Sequence, residues 1–126
     1  MGFAMRAAVH VACVLVFTLV GTAQAQGEIR GYSQKMLLKN WALSRCLGQV
    51  YEDAGARQDA NASAGAYLEF GDQPIETYEA LSVIVDEFAN RNYSGSVDSR
   101  FGTMKCIDLM NSKRLDDLAT ELAPSR

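Results

Sequence analysis

The chain has 126 residues, 48% hydrophobic and 21% charged, with a formal net charge of −3. That length holds one domain, and no cluster of Lys and Arg is present to neutralise phosphates, so nucleic acid is not an expected partner. No metal-ligand spacing, phosphate-binding glycine loop or nucleotide fingerprint occurs either, so no metal and no cofactor is expected.

Residues 1–25 read as a secretory signal peptide. A short basic start with Arg6 precedes the apolar run Ala7 to Val20, and Ala23 and Ala25 form an A-x-A cleavage pattern. The run is short of the roughly 20 residues that a spanning helix needs, so no membrane attachment is expected after cleavage. The mature chain, 26–126, is then a single exported domain of 101 residues (126 minus 25), with a charge of −4 (11 minus 15). His10, the only histidine, leaves with the signal. Ser-His-Asp triads, Cys-His pairs and His-based zinc sites are thereby excluded. Cys46 and Cys106 remain, and an even count in an oxidising compartment reads as a disulfide. It would close a loop of about 60 residues, worth roughly 4 kcal/mol in the chain-entropy model.

"QGEIRG", residues 26–31, reads as a loose N-terminus. Ser33 is placed to cap a first helix from Lys35 to about Ala54, with Met36, Leu37, Trp41, Leu43, Cys46, Leu47, Val50 and Tyr51 over a wide apolar arc. Such an arc predicts a central helix, with Gly55 as its stop. "QDANASAGAYLEF" predicts an alanine-rich second helix, capped by Asp59 or Asn61 and ended by Gly71. Its small residues, Ala60, Ala62, Ala64, Gly65 and Ala66, admit close packing by another helix of this chain or of a twin. High helix propensity alone would also account for them.

"GDQPIETYEALSVIVDEFANR" predicts a third helix, capped at Asp72 with Pro74 in its first turn. Its stripe is Ile75, Tyr78, Leu81, Val85, Phe88 and Ala89. A Ser/Gly/Asn-rich loop follows. The fourth helix, within "RFGTMKCIDLM", would be capped by Asp98 or Ser99 and carry the stripe Phe101, Met104, Ile107 and Met110, with Cys106 one residue off it. Ser112 would cap "KRLDDLATELA", with Leu115, Leu118, Ala119 and Leu122 on one face and Pro124 closing it. No stretch alternates as a half-buried strand does. The expected fold is all-α: a compact bundle of about five helices, its first and fourth stapled by one disulfide.

Little in this chain can do chemistry. The carboxylate pairs Glu52/Asp53, Asp86/Glu87 and Asp116/Asp117 are adjacent on helices, so their side chains diverge by about 100° and do not converge on one bond. Trp41, Tyr78 and the methionines sit on apolar stripes and read as core. A small exported helical domain without a catalytic constellation reads as a binding or inhibitor module rather than an enzyme.

"WALSRCLGQVY", "DANASAGAYLEFGDQPIETY" and "NYSGSVDSRFGTMKCIDLMNSKRLDDLA", in this order and spacing, resemble the fourth family of type VI secretion amidase immunity proteins. The similarity runs from roughly Tyr32 to Leu122. It implies an all-helical periplasmic homodimer that binds a cognate peptidoglycan amidase effector and blocks its active-site cleft, protecting the producing cell and its kin from lysis. It also implies that a loop between helices enters that cleft. The matching positions are Asn92, Tyr93, Ser94, Gly95, Ser96 and Val97. On this reading Gly95 gives the tip access to positive φ, Ser94 and Ser96 supply small polar groups, and Tyr93 anchors the base of the finger. Three alternatives remain open. The loop could be an ordinary connector, the protein could be a small periplasmic acid-stress chaperone, or it could be an enzyme using carboxylates alone.

Overall fold

The structure, a computed structural model, describes residues 28–124; the expected signal peptide and the mature start at Gln26 lie outside the described residues. A 3₁₀ turn, Glu28–Gly31, leads into five helices: α1 (Gln34–Val50), α2 (Ala54–Phe70), α3 (Ile75–Ala89), α4 (Gly102–Asn111) and α5 (Lys113–Leu122). The fold is all-α, as expected. Residues 28–31 are not loose: Ile29 is buried beneath α2, and the Arg30 guanidinium lies 5.5 Å from the centroid of the Phe70 ring.

Side-chain caps set the helix starts. Ser33 Oγ accepts from Met36 N at 3.1 Å, and Ser112 Oγ accepts from Leu115 N at 3.1 Å. Each such cap is worth about 1 kcal/mol. At the α1–α2 junction the observed boundary differs from expectation. α1 stops at Val50, and Asp53 caps α2 by accepting from Ala56 N at 2.7 Å, so Gly55 lies inside α2 rather than ending α1. Asp53 has both the short acceptor and the extended backbone that a cap requires, three residues before the amide it meets. Asp59 and Asn61 therefore fall within the helix. α3 starts two residues later than Asp72 would place it, with Pro74 as its N-cap residue.

α1 is the central helix and contacts the other four. Its Leu38, Trp41, Ala42 and Cys46 meet Tyr78, Leu81, Ile84, Val85 and Phe88 of α3, Cys106 and Leu109 of α4, and Leu115 and Ala119 of α5 in one core. The Trp41 and Tyr78 rings pack edge to face, with centroids 5.1 Å apart. Two of the small residues of α2, Ala60 and Ala64, are buried inside the chain, whereas Ala62, Gly65 and Ala66 face solvent. On α1 the matching small residue is Gly48. A Cβ there would fall 2.6 Å from Asn61 Oδ1, which accepts from Arg45 Nη1 at 2.9 Å.

Cys46 and Cys106 form the disulfide, with S–S 2.02 Å and Cα–Cα 5.6 Å; both residues are fully buried, and the bond ties α1 to α4. It also decides which face of α4 turns inward. Lys105, Cys106 and Leu109 are buried, while Met104 and Ile107 of the expected stripe are about half exposed (47% and 51%). Adjacent helical residues differ by about 100° in direction. Directing Cys106 at α1 therefore carries the apolar stripe to the flank. Ile75 of α3 is also exposed, since it opens the helix beyond the reach of the core.

Candidate functional site

The loop expected to carry function spans 90–101, between α3 and α4. Its first end is held by the end of α3. Asn90 N and Nδ2 both donate to Asp86 O, at 3.1 and 2.8 Å. The Arg91 guanidinium stacks 3.4 Å over the Phe88 ring and pairs with Glu87 at 3.3 Å. The Tyr93 hydroxyl then crosses to α4, donating to Asp108 Oδ2 at 2.6 Å. That hydrogen bond, with a smaller contribution from burial, raises the phenol above its ordinary value. Tyr93 thus fastens the loop to α4, fifteen residues away in sequence.

Asn92, Ser94, Gly95, Ser96 and Val97 are exposed, Val97 at 67%. Gly95 does not take positive φ, as no glycine among the described residues does. Its reason is space: a Cβ at residue 95 would lie 2.9 Å from Phe101 Cζ. The left-handed conformation falls on Phe101 itself, at φ 53° and ψ 38°. For a bulky L-residue this costs roughly 1–2 kcal/mol. Ser99 Oγ accepts from Phe101 N at 3.1 Å and stabilises the turn, so neither Asp98 nor Ser99 is the N-cap residue of α4. Arg100 ties the second end of the loop to the α1–α2 junction through Glu52, at 3.1 Å.

Sequence reasoning picked out the exposed tip residues and missed the three that shape them: Phe101, Asp108 and Arg91. Phe101 was read as part of a helical stripe. The Tyr93–Asp108 contact spans a separation that no local periodicity marks.

The six carboxylates considered as acid/base pairs are all engaged in structural contacts. Glu52 pairs with Arg100, Asp53 caps α2, and Asp86 accepts from Gln49 at 2.7 Å. Glu87 pairs with Arg91 and Arg114, and both arginines hold its carboxyl below the ordinary range, Arg114 foremost. Asp117 pairs with Lys113. Asp116 bridges Lys35 at 2.8 Å and Lys39 at 2.9 Å, which lower its carboxyl to about 2. No group of three His, Cys, Asp or Glu residues among those described could hold a metal. No helix among them is long and apolar enough to cross a membrane.

Comparison with known proteins places this geometry in a family. The family model Tai4, described as "Type VI secretion system (T6SS), amidase immunity protein", matches residues 36–119. Among solved structures, that of the effector–immunity system Tae4/Tai4 from Salmonella typhimurium, a selenomethionine variant, is 44% identical with a TM-score of 0.72, over 75% of this chain and 94% of that one. A structure reported with new type VI-secreted toxins and self-resistance proteins in Serratia marcescens is 31% identical with a TM-score of 0.70, over 78% and 81%. The Tae4–Tai4 effector–immunity complex from Enterobacter cloacae is 27% identical with a TM-score of 0.66, over 77% and 99%. No match is found among curated protein sequences. The five-helix bundle, its disulfide and the family match over 36–119 together establish that the chain belongs to the Tai4 family of type VI secretion system amidase immunity proteins.

Proposed function

We propose that this protein acts in the periplasm as a non-enzymatic inhibitor. It binds a cognate type VI secreted peptidoglycan amidase and places the loop 92–97 in the active-site cleft. The observation that carries this is the loop itself: exposed at Ser94 to Val97, yet fastened at both ends by Arg91, Tyr93 and Arg100. A segment already held in shape loses less conformational entropy on docking than a free one. Blocking a cleft by insertion requires no catalytic group from the inhibitor. Family membership supports the reading, as do the Tae4–Tai4 complexes of its relatives. The signal-like N-terminus supports export, and a homodimer is part of the proposal.

The test is capture of amidase effectors by the mature, oxidised protein, with cell-wall hydrolysis as readout. Tight binding with loss of hydrolysis is the expected result. Binding that survives deletion of Ser94 to Ser96 unchanged would remove the loop from the site. Binding to no amidase, with dye uptake below about pH 3, would favour an acid-exposed chaperone surface instead.

A further inference from the structure

We propose that the Cys46–Cys106 disulfide sets the shape of the 92–97 loop as well as the stability of the bundle: it fixes the face that α4 turns to α1, and so points Asp108 at Tyr93. The loop holds its inhibitory form only while the bond is intact. The consequence for amidase binding rests on the inhibitor function proposed above; the coupling of the bond to Tyr93 does not.

α4 has two faces that compete for the core. Lys105, Cys106 and Leu109 form the buried one, while Met104 and Ile107 of the other stay about half exposed. The buried face carries a lysine, 6% exposed, whose ammonium makes no hydrogen bond and no ion pair among the described residues. Covering Met104 and Ile107 and returning the ammonium to water favours the opposite choice. Leu109, and the close approach of Gly102 to Val50, act against it. The disulfide settles the competition covalently, because both cysteines are fully buried where α1 meets α4. α4 has few local determinants of its own: it is 10 residues long, starts from a left-handed Phe101 and has no side-chain cap hydrogen bond. A helix that short is marginal without its packing.

The rotation of α4 matters to the loop because Tyr93 is fastened to it. Asp108 lies two residues beyond Cys106, about 200° around the helix. With Cys106 directed at α1, its carboxylate faces away from α1 and accepts from the Tyr93 hydroxyl at 2.6 Å. The Lys105 ammonium lies 6.0 Å from the centroid of the same ring. Turning α4 by about 100°, to seat Met104 and Ile107, would carry the Asp108 carboxylate about 8 Å, given a helix radius of roughly 5 Å with side chains. That is far beyond hydrogen-bond reach. The same turn would disturb Phe101, whose ring fills the space beside Gly95. The remaining ties, Arg91 to Glu87 and Arg100 to Glu52, hold the two ends of the loop and not its tip. Opening the bond takes two electrons and two protons from a dithiol, which leaves as its cyclic disulfide while Cys46 and Cys106 become thiols.

The test compares the oxidised parent, the parent reduced with dithiothreitol, and Cys46→Ala/Cys106→Ala, where circular dichroism shows each to be folded. NMR of isotope-labelled tyrosine follows the Tyr93 phenol, assigned with Tyr93→Phe. In the oxidised parent Asp108 holds that phenol above its ordinary value. Loss of the bond is expected to return it toward that value, and Asp108→Asn to do so with the bond intact. Adding Met104→Gln and Ile107→Gln to the disulfide-free chain removes the competing face and is expected to restore the Tyr93 signal. If Cys46→Ala/Cys106→Ala does not fold, the reduced parent carries the same comparison. Amidase affinity is expected to fall about tenfold or more without the bond. A Tyr93 signal unmoved by loss of the bond would overturn the coupling. Unchanged amidase affinity with Tyr93 released would overturn its role in inhibition. An oxidised parent that binds no amidase would overturn the inhibitor function instead, and the Tyr93 signal would still decide the coupling.

Discussion

Gly95 and Phe101 share one space: a side chain on residue 95 would begin 2.9 Å from the tip of the Phe101 ring. The exposed loop therefore folds back on the residue that starts α4. Glycine at position 95 leaves room for the ring to close over the backbone. Gly95→Val should displace the ring and remodel the tip. The expected outcome is amidase binding weaker by about tenfold or more, about 1.4 kcal/mol, with helical circular dichroism unchanged. Equal affinity for the variant and the parent would show that the tip conformation does not matter to the partner.

Tyr78 gives a second prediction. Its hydroxyl is buried with no hydrogen-bond partner among the described residues, and burial, with the nearby Asp72 charge, raises the phenol above its ordinary value. The edge-to-face contact with Trp41 belongs to the ring and not the hydroxyl. Tyr78→Phe should hold stability within about 1 kcal/mol or increase it, because an unsatisfied buried polar group is removed. A urea midpoint well below that of the parent would mean that the hydroxyl has a partner.

The Cys46–Cys106 bond closes a loop across a sequence separation of 60 residues and lies wholly inside the core. Paired Cys46→Ala and Cys106→Ala should cost about 2–5 kcal/mol in denaturant unfolding. Reducing agent should shift the midpoint of the parent in the same direction and leave the double variant unmoved.

Asp116 sets a pH window. Lys35 first, then Lys39, lower its carboxyl from an ordinary 3.8 to about 2 in the folded protein. A group with a depressed folded value stabilises above its unfolded value and loses that contribution as pH falls. The α1–α5 bridge should therefore be at full strength above about pH 4 and fade between about pH 4 and pH 2. Urea midpoints of the parent and Asp116→Asn should differ at pH 6 and converge near pH 2. A gap that persists at pH 2 would assign the effect to packing instead.

Local sequence chemistry determined the number, order and approximate extent of the helices. Ser33 and Ser112 could be read as caps because a cap needs only a short acceptor three residues before a free amide. The Cys46–Cys106 pairing was legible because the expected mature chain holds two cysteines, each with one possible partner. That a Ser/Gly/Asn-rich loop joins α3 to α4 was legible from composition. Which way α4 faces was not. Its apolar period points to Met104 and Ile107, but the disulfide directs Cys106 inward and Lys105 with it. The α1–α2 boundary was equally hidden, since Asp53, Asp59 and Asn61 are all competent caps and only packing against α1 selects one. The shape of the loop depends on Tyr93 meeting Asp108 and on Phe101 closing over Gly95. These are contacts between side chains brought together only when α3 and α4 dock on α1, and no periodicity along the chain records them.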